Sequence, residues 1–186
     1  MIERIVADLG GTLEREKAYF MFGGDLAVRV WGLAAPTYGV ELTVAIRRDA
    51  LARLLKRLED EGYIVPQAAT TGWVDEGDGV PGVRIAREND GRLWDIAMHL
   101  ADSSFLKSAV ERRRKVKVGR EEVWMMSPED VILNKLQAGT NMDLLQAVEI
   151  MAVTHPLDFD HLTTWAKELD VEFQLSEVKT RAQLFE

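Results

Sequence analysis

Apolar and polar positions recur with two different periods along this chain. Tyr19-Phe20-Met21-Phe22 is an uninterrupted apolar run that stops at Gly23-Gly24, which predicts a short buried strand. Asp25 then opens a helical segment that ends at Gly32, its acid suited to the positive end of the helix dipole. Val40 to Ile46 alternates with period two, placing Glu41 and Thr43 on one face and Val40, Leu42 and Val44 on the other. Leucines at 51, 54, 55 and 58 have the spacing of an amphipathic helix, with Gly62 at its stop. Upstream, the pattern predicts a weakly amphipathic segment over 1–9 and a helix over 12–17.

Breaker-rich 75–82 reads as an irregular loop between strands near 63–65 and 83–87, and Asn89-Asp90-Gly91 predicts a hairpin into 92–100. Together these predict a β-meander in the middle of the chain. A helix follows Ser103, and a small hairpin turns at Gly119-Arg120. Ser127-Pro128-Glu129-Asp130 is a helix opening, with Ser as N-cap, Pro at the first position and acids in the first turn. Further helices are expected over 142–153, 160–169 and 176–184. The expectation is an α+β fold, a mixed sheet of four to six strands flanked by helices over 1–126, with a helical C-terminal part over 127–186.

Charge and composition narrow the chemistry. The 186 residues hold 31 acids against 23 Lys and Arg, a net charge of -8, which disfavours indiscriminate wrapping of nucleic acid. With 0 Cys there is no disulfide framework, thiolate metal site or cysteine nucleophile. No stretch approaches the ~18 apolar residues of a membrane span, so a cytoplasmic, membrane-free protein is expected. Against the acidic background, 107–120 carries seven basic residues and Glu111 alone. Arg112, Arg113, Arg114 and Lys115 are either a solvated face or a surface for an RNA or protein acceptor. His99 and His155 read as packing and capping residues.

The segment from Gly23-Gly24 through Pro36-Thr37-Tyr38-Gly39-Val40-Glu41 resembles the first signature of the nucleotidyltransferase superfamily, in particular the small bacterial branch that includes the AbiEii-type toxins of toxin–antitoxin systems. Trp94-Asp95-Ile96 is similar to the segment carrying that family's third carboxylate. Ser127 to Ala138, with Lys135, is similar to its helical motif, and Asp143 stands where the next motif carries an acid. The resemblance implies transfer of NMP from NTP to an RNA or protein acceptor with Mg²⁺ or Mn²⁺. Glu41 and Asp95 would hold metal, Asp143 would assist catalysis, and Gly23, Gly24, Thr37 and Lys135 would contact the nucleotide. A glycine pair at a helix N-terminus allows close approach of a phosphate, and carboxylates two apart on a strand share a face. The chain departs from the pattern at Gly39, where the first metal-binding Asp belongs, at Glu41 in place of the second, and at Ala35 in place of an arginine. A binding module that keeps the fold without the transfer is the competing expectation.

Overall fold

A computed structural model describes residues 2–32, 36–75 and 80–185; Ala35 lies outside them. Helix α1 spans Ile2–Arg15, where two separate segments are expected. The helix runs through Gly10-Gly11 because Gly10 lies against the rings of Phe20 and Phe22, at 3.6 Å from where its Cβ would be. The missing side chain brings helix and sheet together. Strand β1 (Tyr19–Phe22), helix α2 (Gly24–Trp31) and strand β2 (Val40–Ala45) follow as predicted. Helix α3 (Leu51–Asp60) buries its four leucines and stops at Gly62, whose φ is +87°.

Of the expected irregular loop over 75–82, residues 76–79 lie outside the described residues, and its two ends are strand instead: β3 is Val74–Asp75, and β4 (Pro81–Asn89) already includes Pro81 and Gly82. The turn at Asp90-Gly91, with φ of +52° and +73°, leads into β5 (Arg92–Leu100). Helix α4 (Ser104–Arg112) precedes the hairpin of β6 (Arg114–Val118) and β7 (Glu121–Met125). Four helices complete the chain: α5 (Pro128–Ala138), α6 (Asn141–Val153), α7 (Phe159–Glu168) and α8 (Glu172–Ala182). Ser127 caps α5 as expected, accepting a hydrogen bond from the Asp130 amide.

Among the described residues the sheet runs β3-β4-β5-β2-β1-β7-β6. It is mixed: β3, β4 and β5 form an antiparallel meander in the middle of the chain, as expected, which joins the earlier strands through β5 parallel to β2, and β7 lies parallel to β1. The architecture is α+β. Phe20 and Phe22 stand beside Val44 and Leu42, so α1 covers that face of the sheet. The opposite face carries Met21, Glu41, Thr43, Asp95, Ala97 and His99, and the cleft described below opens on it.

The basic run is compensated within the protein. The Glu129 carboxylate, fully buried, accepts hydrogen bonds from Arg114 at 3.0 Å on both oxygens and from the Asp158 amide. Buried Asp130 accepts from Ser127 at 2.6 Å and meets the His161 ring at 2.7 Å. Arg112 lies 3.9 Å from Glu129 and Asp130 and 3.4 Å from Asp158. Arg113 stacks on Tyr19 and Trp124, and Lys115 lies over the Trp124 ring. These four cations, which the sequence left as either a solvated face or an acceptor surface, join α4 and β6 to the C-terminal helices or pack on aromatic faces.

Candidate functional site

The cleft is framed by the turn from β1 into α2, the exposed face of β2 and β5, and the side of α5. Its inner chamber, about 460 Å³, is lined by Gly23, Gly24, Glu41 and Thr43 on one side. Leu106, Met126, Asn134 and Gln137 form the other. A second chamber of about 480 Å³ is lined by Asp25, Gly39, Glu41, Arg84, Asp95 and His99. Glu41 and His99 belong to both, so Glu41 stands at the division of one continuous cleft.

Register decides how the acids meet. Glu41 is paired with Ala97 on β5 and Thr43 with His99. Asp95 lies one pair further along, beside Gly39, whose added Cβ would stand 3.1 Å from the Asp95 carbonyl oxygen. Adjacent strands are ~4.8 Å apart and two residues rise ~6.6 Å, so the Cα atoms of Glu41 and Asp95 stand ~8 Å apart on the diagonal. Their side chains lean apart. The Glu41 carboxyl atoms lie 2.5 to 2.8 Å from where a Cβ on Gly24 would be, toward β1. The Asp95 carboxylate leans toward β4 and accepts a hydrogen bond from Arg84 at 2.7 Å.

The glycine pair thus does two things. Gly24 has φ +56°, a conformation other residues adopt at a cost, and its bare Cα admits the Glu41 carboxylate at the start of α2. The helix end that would receive a phosphate is covered by a carboxylate of the chain itself.

A divalent metal is the group that the resemblance implies, and the residues present do not fit it. Mg²⁺ needs several oxygen ligands in near-octahedral array. Position 39 offers no side chain, Ala97 faces Glu41, and Asp95 is engaged by a guanidinium. Among the described residues, no three His, Cys, Asp or Glu side chains stand together as a metal site.

The other sequence-predicted positions lie apart from this cleft lining. Lys135 donates to Asp143 at 2.9 Å, and Thr140 donates to the same carboxylate at 2.6 Å. Burial pushes the Asp143 carboxyl up, but these hydrogen bonds outweigh burial and hold it below its ordinary 3.8. Thr37 keeps a buried hydroxyl with no hydrogen-bond partner. Sequence reasoning missed Arg84, Asn134 and Gln137, and it read His99 as a packing residue and Thr43 only as the neighbour of Glu41. The two-residue turn fixes the register, pairing Ala86 with Asp95 and Arg84 with Ala97, and so carried the signal for Arg84.

The architecture is a nucleotidyltransferase-like α+β fold. A nucleotidyltransferase-like antigenic protein from Paracoccidioides brasiliensis superposes with a TM-score of 0.57 at 15% identity, over 95% of this chain and 90% of that one. A nucleotidyltransferase candidate from Thermotoga maritima superposes with a TM-score of 0.51 at 12% identity, over 73% of this chain and 83% of that one. At such identities the likeness is one of fold. No family model matches the sequence, and no curated protein does.

Proposed function

We propose that this protein is a small-molecule binding module built on the nucleotidyltransferase fold, and that its cleft does not carry metal-dependent transfer of NMP. The observation that carries the reading is the arrangement at position 39. Gly39 leaves Asp95 without a carboxylate neighbour, and Arg84 supplies the positive charge that Asp95 meets. Two-metal transfer needs ligands that hold ions ~4 Å apart, and Glu41 and Asp95 diverge. The cleft has the volume of a small-ligand site, and its walls mix apolar side chains with a few polar groups.

On this reading Glu41, Thr43, Asn134 and Gln137 contact the ligand, while Lys135 and Asp143 fix the start of α6 against α5 and assist no reaction. Membership of a toxin–antitoxin pair, which rests on the sequence resemblance alone, and a cytoplasmic location, which rests on composition, remain parts of the proposal. The test is incubation of the purified protein with each of the four NTPs, with Mg²⁺ or Mn²⁺ and total RNA or protein as acceptor. No pyrophosphate release and no label transfer from α-labelled NTP are expected. Metal-dependent release that disappears in Glu41→Gln would overturn the proposal in favour of a residual transferase using Glu41 and Asp95.

A further inference from the structure

The charges and unmet hydrogen bonds of the cleft say what kind of ligand it suits. Its described charged residues are Asp25, Glu41 and Asp95 against Arg84. Asp95 is paired with Arg84, whereas among the described residues the side chains of Asp25 and Glu41 make no hydrogen bond or ion pair. Thr43 is a separate observation. It lines the inner chamber, is only 6% exposed, and among the described residues its hydroxyl has no hydrogen-bond partner. The hydroxyl therefore opens on the chamber with its hydrogen-bonding capacity unspent within the protein, and a ligand donor that meets it gains a partner. Beside it in register, the Nδ1 atom of His99 is buried and unpaired as well.

A polyphosphate does not suit this lining. It would face two unpaired carboxylates, and Glu41 already covers the start of α2. We propose that the cleft takes a small organic ammonium compound with a compact apolar body. The ammonium sits against the Glu41 carboxylate and donates to the Thr43 hydroxyl, and the body packs between Leu106 and Met126. This rests on the small-molecule reading above and adds the charge class of the ligand. Asn134 and Gln137 on α5 face the polar edge of such a body and admit hydroxyl or amide substituents.

A matched series tests the charge alone: 2-phenylethylamine, 2-phenylethanol and phenylacetate share one body and differ in the end group. Each is titrated into ¹⁵N-labelled full-length protein at neutral pH, without metal, and followed by amide shifts. The amine is expected to bind about tenfold more tightly than the carboxylate, with the alcohol between them, because one partly enclosed opposite charge favours it by about that factor. The largest shifts are expected at Glu41, Thr43 and Asn134. Glu41→Gln, nearly the same shape at an exposed position, should bring the three within about twofold of one another, and its own spectrum reports that it is folded. Thr43→Val should weaken the amine several-fold. Equal or tighter binding of the carboxylate or the alcohol by the native protein overturns the ammonium assignment and leaves the small-molecule reading standing. No specific shifts with any of the three overturn both.

Discussion

At the scale of single residues, two carboxylates show how environment divides a shared chemistry. Glu129 is fully buried and held by Arg114 and the Asp158 amide, whereas Glu41 is exposed at the cleft and unpaired. Arg114→Met strands a buried charge that Arg112, at 3.9 Å, meets less well. It should lower stability by ~2 kcal/mol in urea unfolding. Asp143 gives a pH dependence. Its folded pKa is depressed, so the stability it contributes is present above its unfolded value and is lost as pH falls through the folded one. Asp143→Asn should therefore flatten the loss of stability below roughly pH 4, read as the change in urea midpoint between pH 6 and pH 3. Loss of equal steepness in both proteins would contradict the Lys135–Asp143 pairing. Legibility at this scale was uneven. The face shared by Glu41 and Thr43 follows from alternation alone, but the divergence of Glu41 from Asp95 depends on Gly24 and Arg84, which are remote in sequence from the acids they draw aside.

The elements were easier to read where one face is buried and one wet. β2, α3, the Asp90-Gly91 hairpin and the Ser127 cap carry their periodicity or turn chemistry openly, and the structure has them within a few residues of the expected bounds. Reading failed at glycine and proline. Gly10-Gly11 looks like a break, yet α1 continues through it because Gly10 is on the buried face against Phe20 and Phe22, where tertiary packing outweighs the weak helix preference of glycine. Pro81 and Gly82 look like loop, yet they sit in β4 beside the two-residue β3, near the edge of the sheet where proline is tolerated. The Gly10 site has a measurable consequence. An added methyl would meet the rings at ordinary contact distance, 3.6 Å, and alanine favours a helix over glycine. Gly10→Ala should raise stability by about 0.5–1 kcal/mol, and Gly10→Leu should lower it, both by urea unfolding. A destabilising alanine would show that the helix and sheet cannot accept even one methyl.

For the whole molecule, composition and hydrophobic pattern pointed to an α+β protein, and the mixed sheet with its helices is that architecture. The parallel placement of β5 on β2 was not legible, since pairing between strands fifty residues apart leaves no local trace. The same pairing builds the cleft, bringing Asp95 and His99 beside Gly39 and Thr43, while α5 closes the other wall. Buried Glu129 and Asp130 on α5 meet Arg112 of α4 and Arg114 of β6, so the cleft wall is bound across residue 126 by ion pairs, while the His161 ring of α7 holds Asp130 from the C-terminal side. The expected outcome is one cooperative unfolding transition, coincident by far-ultraviolet circular dichroism and tryptophan fluorescence. Two separated transitions would mean that 127–186 folds on its own.

Binding of Mn²⁺, followed by the loss of the free-ion signal in electron paramagnetic resonance, tests the central claim most directly. Without nucleotide, the native protein should leave the free Mn²⁺ signal almost unchanged at ion concentrations of about 100 µM, a range in which a multi-carboxylate centre would retain it. Retention of one or two ions per chain, lost in Glu41→Gln and in Asp95→Asn, would show instead that these acids converge on a metal and that the cleft is a transferase centre.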